Sequence, residues 1–342
     1  MPKRTLVIGG GALGGVMAAR LTRNGHDVTV LDANLEHVER MRDPGLEVDL
    51  VGESFTVRLN AVSDASELSG TYDFGLVTLK APHIRSALEP LASMGCVDLF
   101  VSLGNGLVQD RIQDIVGSDR LVVGTVSWGA TNLGPGRVAQ TTIAPFALGE
   151  LDGTLSARLE SLGGVLSDVA EVHFTDNIQG QVWSKLLLNS SFSGLGVVTG
   201  LVYADVIAQQ NGAGVAMALW TEGFRVAMAM NVDLDVVAGI EPRDIAVLDP
   251  KDRPRSMESI DKLMASLGPT KASMLQDIEK GAVTEVDVIN GGVSSTGKKV
   301  GIPTPLNDAV VAIVHGYEVN DSKPHPDQLL GLIPIAKAEL PT

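Results

Sequence analysis

The chain is nearly devoid of cysteine, with Cys96 the only one in 342 residues. One thiol forms no intramolecular disulfide and supplies no cysteine zinc cluster, so neither a disulfide scaffold nor a bound metal is expected, and a reducing cytoplasm is the expected compartment. Aromatic residues are scarce at 4%, and 26 Lys and Arg face 41 Asp and Glu, for a formal net charge of -15. A surface of that sign repels phosphate backbones and anionic lipid heads, so neither nucleic acid nor a membrane is an expected partner. Long hydrophobic runs are missing too. The first apolar segment, Thr5 to Ile8, gives way to glycines at once, which is too short for a targeting core. The most apolar later stretch, Leu186 to Val202, is interrupted by Asn189, serines and glycines and suits a buried helix.

What remains is an ordinary soluble globular composition, 44% hydrophobic and 20% charged, at a length that suits two domains. The first third alternates β-branched runs with helical patterns, the signature of an α/β fold with a parallel sheet covered by helices. Thr5–Ile8, Val28–Leu31, Phe74–Leu79 and Asp98–Ser102 are the expected strands. Ala12–Asn24, Leu35–Arg42 and His83–Ser93 are the expected helices, the first closed by Gly25. Asn132-Leu-Gly-Pro-Gly136 is expected to join two antiparallel strands at the edge of this sheet. A helix near Leu155–Leu162 and a strand near Glu171–Phe174 would complete the domain. Beyond Asp176 the strand-like runs stop, which predicts a dinucleotide-binding domain over 1–176 and a helical domain over 177–342. Within the latter, Leu248–Ser256 is expected to be a surface loop because of its prolines and dense charge.

The strongest chemical motif is Gly9-Gly10-Gly11-Ala12-Leu13-Gly14, a G-x-G-x-x-G placed directly after a strand and opening a helix. A glycine at 9 permits the tight turn, one at 11 lets the backbone approach a pyrophosphate, and one at 14 allows close helix packing, while the helix N-terminus offers amide donors. Asp32 ends the next strand where an acid would accept from a ribose 2'-hydroxyl and repel a 2'-phosphate, so NAD(H) is favoured over NADP(H). Asp32 would equally serve as a cap for the following helix, alone or with Asn34, and Arg40 and Arg42 lie close enough to soften the preference. Lys80 and Asn105 fall at the carboxyl ends of two further strands, where ligands bind in open sheets; each also reads as a solvated strand end or a plain turn.

In the second domain, Lys185, Asn189 and Ser193 recur every fourth residue and so line one polar face of an otherwise apolar helix. Lys185 is either a surface cation or one held in a polar pocket. Further on, Ser273 to Gln276 open a helix stopped by Gly281. Thr284 reads as the N-cap of the next one, with Asp287 at the capping-box position and Glu285 in the first turn, where the dipole stabilises a carboxylate.

Together these segments resemble the ketopantoate reductases. The resemblance runs through Gly9 to Gly14, Val77-Thr-Leu-Lys80-Ala, Gly104-Asn105-Gly106, Gly124 to Ala130, Trp183-Ser-Lys185-Leu with Asn189, Ser273-Met-Leu-Gln276-Asp277, Thr284-Glu285-Val-Asp287, Ile289-Asn290-Gly291 and Gly301-Ile-Pro303. It implies a Rossmann domain, a helical domain and an active site in a cleft between them. Lys185 would be the general acid in reduction of a 2-keto acid by a nicotinamide cofactor, with Glu285 orienting a hydroxyl or the nicotinamide ribose. Asn189, Ser193, Ser273, Gln276 and Asn105 would hold the substrate; Lys80, Asn105 and Ala130 would line the cofactor side. Two departures stand out. The family usually has a second substrate-binding asparagine where this chain has Ser193, and many members have an arginine for NADPH near Asp32. These leave open an NAD-dependent D-2-hydroxy acid dehydrogenase of the mandelate type, acting on another branched or aromatic 2-keto acid. Because fold does not fix function, a dinucleotide binder that regulates without turnover is a further alternative. The apolar helical half leaves room for a homodimer.

Overall fold

The computed structural model describes residues 3–341. The chain falls into two compact units, one of Met1–Gly104 with Val108–Ile178, the other of Asn105–Leu107 with Gln179–Thr342.

The first unit is built on an eight-stranded sheet. Its central strand β1 (Arg4–Ile8) leads into α1 (Ala12–Arg23), then β2 (Asp27–Leu31) and α2 (Leu35–Arg40). Two small-sheet strands, β3 (Leu46–Leu50) and β4 (Glu53–Val57), come next, followed by β5 (Asn60–Val62), β6 (Tyr72–Val77), α3 (Ile84–Met94), β7 (Val97–Ser102) and α4 (Val108–Val116). The remainder is β8 (Leu121–Val126), β9 (Ala130–Gly134), β10 (Arg137–Gln140), β11 (Phe146–Gly149), α5 (Ala157–Leu166) and β12 (Val172–Phe174). Sheet order is β12-β11-β8-β7-β6-β1-β2-β5, parallel except where β11 runs against β8. Leu6, Val7 and Ile8 are fully buried, which explains why this strand reads as an unbroken apolar run. The chain leaves β1 toward β2 on one side and later returns to β6 on the other, so the carboxyl end of β1 lies at the reversal of strand order, the place where open sheets bind ligands.

The turn Asn132–Gly136 does join antiparallel strands, β9 and β10, but not at the edge of the main sheet. They belong to a second, four-stranded sheet of order β4-β3-β10-β9, because β10 pairs in parallel with β3. α1 packs against that small sheet: a side chain on Gly15 would meet Val138 at 3.0 Å. Strand β6 ends at Val77 rather than Leu79, and the Thr78 hydroxyl donates to the Gly9 carbonyl at 2.7 Å instead of continuing outward. Helix α2 stops at Arg40 because Asp43, placed before a proline, is extended and the chain turns through Met41–Gly45.

The second unit is helical. It comprises α6 (Ile178–Leu188, whose first residue closes the first unit), a wide π-helical turn at Asn189–Ser193, α7 (Gly194–Thr199), α8 (Tyr203–Ala208), α9 (Gly212–Ala229) and α10 (Pro242–Ile245). The rest is α11 (Arg253–Leu267), α12 (Ser273–Glu279), α13 (Asn290–Val300), α14 (Pro305–Glu318) and α15 (Leu329–Glu339). The segment Leu248–Ser256 is not a loop. Asp249 caps a short turn at Pro250–Asp252 that runs into α11, and its prolines occupy first-turn positions where no amide hydrogen is missed. Of the charges there, Lys251 and Arg253 are exposed, and Asp252 is the buried one: 4% exposed, it accepts from Arg243 at 3.0 Å and from the amides of Leu248 and Asp249.

Candidate active site

At the carboxyl end of β1, Gly9 takes φ +99, where only glycine is at ease. A side chain at Gly14 would stand 1.9 Å from the Gly9 carbonyl oxygen, whereas one at Gly11 would meet nothing within 4 Å. The first glycine therefore turns the chain, the third lets α1 close on the loop, and the middle one faces open space. Gly11 is the N-cap of α1 and offers no side chain to it. The first-turn amides, including those of Ala12 and Leu13, thus present donors and the positive end of the helix dipole without a protein cap. That arrangement fits a pyrophosphate.

Gly10 is held on both sides. Its amide donates to Asp32 Oδ2 at 2.7 Å, and its carbonyl accepts from His37 Nε2 at 2.7 Å. The other ring nitrogen of this buried histidine accepts from the Gly136 amide at 2.8 Å, so the ring is neutral with its proton on Nε2. Asp32 Oδ1 takes the Asn34 amide at 2.9 Å. Helix α2 is capped by Asn34, whose side chain accepts from His37, not by Asp32. Each Asp32 oxygen keeps a lone pair for a further donor, and both of these bonds come from backbone amides. Arg42 is turned away onto the Ala61 carbonyl at 2.7 Å and Glu67 at 3.2 Å, while the stem of the exposed Arg40 lies along Gly136. Lys80 follows β6, half-buried and in extended backbone. Ala130 begins β9 in the small sheet.

The second unit gathers the ionisable side chains. Lys185 projects from α6 between buried Trp183, Ser184, Leu186 and Leu187. It is half-buried, not a surface cation, and burial brings its ammonium down to about 8 against the opposing pull of the Glu285 carboxylate. Glu285 is 3% exposed and accepts from Asn105 Nδ2 at 3.3 Å. Asn105 is placed for this by its neighbours: Gly106 at φ +69 packs against the Val288 carbonyl, and the Leu107 amide donates to that carbonyl at 3.0 Å.

The helix expected to start at Thr284 does not form there. Glu285 to Ile289 make a series of turns, and α13 begins only at Asn290. The capping box is absent because Glu318 takes the Thr284 amide at 2.7 Å and its hydroxyl at 2.8 Å, while Asp287 pairs with His315 at 3.0 Å. Lys185, Asn189 and Ser193 also do not share one regular helix, since the π-helical turn begins at Asn189. Asn189 is half-buried, and Ser193, 4% exposed, donates toward Asn189 Oδ1 at 3.4 Å. Ser273 is exposed at the start of α12, and Gln276 turns its amide to the Lys271 carbonyl at 3.4 Å. α12 packs against the turn Asn189–Ser193.

Sequence reasoning missed three residues that organise this unit. Tyr203 is bonded to Ser193. Glu222 and Asn307 are both fully buried, and Glu222 Oε2 accepts from Asn307 Nδ2 at 2.8 Å. The available signal for Glu222 was an acid placed within the apolar segment Gly212–Ala229. Among the described residues no cluster of three or more His, Cys, Asp or Glu is arranged to hold a metal, and no helix is long and apolar enough to cross a membrane.

A glycine-turned dinucleotide fold joined to a helical unit that carries a half-buried lysine and a buried glutamate defines an oxidoreductase of the two-domain Rossmann class. The ketopantoate reductase PanE/ApbA family model matches residues 5–153, and the model of that family's C-terminal domain matches 177–318. The chain belongs to the ketopantoate reductase family. It is 27% identical over 337 residues to the 2-dehydropantoate 2-reductase of Mesorhizobium japonicum, covering 92% of this chain and 97% of that protein. It is 29% identical to that of Halobacterium salinarum, covering 89% and 95%. Similar solved structures include a D-mandelate dehydrogenase in ternary complex with NADH and anilino(oxo)acetate and a PanE/ApbA family ketopantoate reductase from Ralstonia eutropha. Both are 24% identical with a TM-score of 0.78, covering 92% of this chain and 99% of theirs.

Proposed function

We propose that the protein reduces a 2-keto acid to the 2-hydroxy acid with a nicotinamide cofactor, NADH in preference to NADPH, and that ketopantoate to D-pantoate is its leading reaction. The observation that carries this reading is Lys185, a cation brought down to about 8 by burial, within the electrostatic reach of Glu285 and one turn before Asn189 in the chain. A bound reduced nicotinamide supplies the hydride. The Gly9–Gly14 loop would hold its pyrophosphate and Asp32 its ribose, with Lys80 and Ala130 lining the cofactor side. Lys185 donates a proton to the carbonyl oxygen as charge develops there, and recovers one from water as the neutral amine. Asn105 and Glu285 fix the polar end of the site, Asn189 binds the keto acid, and Ser273 and Gln276 contribute from α12. The relatives named 2-dehydropantoate 2-reductase support the substrate.

A second reading, NADH-dependent reduction of a bulkier branched or aromatic 2-keto acid, is favoured by Ser193, which stands where family members usually have an asparagine. The test is oxidation of NADH and, separately, NADPH with ketopantoate and with bulkier 2-keto acids. Turnover of ketopantoate supports the first reading, and its rejection beside reduction of another acid supports the second. For the cofactor, Asp32→Ala is expected to move the NADH to NADPH ratio of kcat/KM toward NADPH by about tenfold, the worth of one charge-assisted hydrogen bond. An unchanged ratio would remove Asp32 from cofactor selection.

A further inference from the structure

Ser193 and Tyr203 are both nearly buried, at 4% and 3% exposure, and their hydroxyl oxygens are 2.5 Å apart. Tyr203 is set in place by the aromatic stack on which it lies, 5.9 Å from Phe192 between ring centroids, with Trp220 on Phe192 at 6.2 Å. A phenol is a far stronger acid than an alkyl alcohol, so in so short a pair the tyrosine donates. The serine's own single proton is then left for another acceptor, and the Asn189 Oδ1 atom lies 3.4 Å away. With Oδ1 engaged by Ser193, the pole of the asparagine that is left to recognise a ligand is its donor, the Nδ2 amino group.

We propose that Tyr203 is a positioning residue: through Ser193 it sets the Asn189 amide so that Nδ2, on the same helical stretch as the Lys185 ammonium, faces the substrate as a donor. This rests on the reading that Asn189 binds a 2-keto acid. It gives the departure from the family a physical content. Ser193 is not a shortened substrate ligand, because its proton goes to Asn189 and it accepts from Tyr203. The group recognised on this face is therefore an acceptor, the carboxylate or hydroxyl oxygen of the keto acid, met by Asn189 with Lys185 one turn away.

The experiment compares Tyr203→Phe, Ser193→Ala and the double variant. Each single change removes one link, and the expected result is a rise in the keto acid KM of about five- to tenfold, the worth of one hydrogen bond. kcat should move less than KM, and the NADH dissociation constant should hold. The double variant should be no worse than either single one, because a chain cut twice is cut once. Additive effects, or a loss in Ser193→Ala with none in Tyr203→Phe, would mean that Ser193 touches substrate directly and would overturn the proposal. Parallel changes in NADH binding and melting temperature would overturn it as well, in favour of packing alone. If the wild type reduces no 2-keto acid, the functional reading fails, but the relay is still tested by the side-chain NH2 resonance of Asn189 in protein labelled with 15N-asparagine. Both single variants should shift it alike, and an unmoved resonance in Tyr203→Phe would overturn the relay itself.

Discussion

The two units hold their reactive groups in opposite ways. Around Gly10 the chemistry belongs to the backbone: amides and a carbonyl are aimed by Asp32 and His37, and glycines are needed because side chains would be in the way. Around Lys185 the chemistry belongs to side chains, and it depends on burial changing how they ionise. A backbone site is limited first by volume, because a side chain added there fills the ligand's space; a side-chain site answers first to pH, because burial moves its ionisation. Substitutions that separate the two sensitivities test this contrast directly.

The largest expected effect lies in the second unit. Lys185→Ala removes the proposed proton donor, and kcat should fall by about 10²- to 10⁴-fold, the usual contribution of general acid catalysis. The ammonium is the active form, so wild-type reduction should decline as pH rises through about 8. Glu285 favours the charged lysine, so Glu285→Gln should move that decline to lower pH. A stopped-flow pH profile that stays flat to pH 10 would exclude Lys185 as the acid.

In the first unit the expected changes are steric. Gly14→Ala would push a methyl group to 1.9 Å from the Gly9 carbonyl, costing about 1–3 kcal/mol of stability as overpacking does and displacing the loop. Gly11→Ala meets no neighbour, so the fold should keep its melting temperature while the methyl group obstructs the pyrophosphate. Thermal shifts with and without NADH separate the two: Gly14→Ala should lower both curves, and Gly11→Ala should lower only the gain from cofactor. Equal behaviour of the two variants would contradict the division of labour within the loop.

How much of this was legible beforehand follows from the same contrast. The glycine loop could be read because a local rule, φ and close approach, selects glycine at fixed spacing after a strand. Asp32 was legible as a strand-end acid, and Lys185 as a lysine set amid Trp183 and leucines in an apolar helix. What escaped depends on partners far along the chain. Thr284 looked like a helix cap until Glu318, on another helix, took its amide. The prolines of Leu248–Ser256 marked a loop, yet first-turn prolines also start helices, and only the ring of donors around Asp252 decides between them. Tyr203 carried no signal at all, since its pairing with Ser193 depends on a π-helical turn that periodicity cannot show.

The smallest expected effect concerns an acid that looks catalytic and is not used in the proposed chemistry. Glu222 is as buried as Glu285, but it accepts from the amides of Leu306 and Asn307 at 2.8 and 3.0 Å and from Asn307 Nδ2. Asn307 in turn accepts from Asn290, which also donates to the Ser190 carbonyl, so the chain of bonds ties the start of α14 to the turn that carries Asn189. Burial pushes the Glu222 carboxyl up to about 7 despite those donors. Its pKa is thus raised on folding. Between about 4.5 and 7 the folded protein keeps a proton that the unfolded chain has lost, so this group's contribution to stability falls as pH rises through that window and levels off above it. Glu222→Gln cannot ionise and should flatten that part of the melting-temperature profile relative to wild type. Because an amide group now opposes backbone donors, it should also lose about 1–3 kcal/mol at every pH. Measured as a difference between the two proteins, the comparison cancels the background from the other carboxylates. A difference that does not change between pH 5 and 8 would mean that Glu222 stays ionised throughout, and would make it a simple helix-start anchor like Asp252.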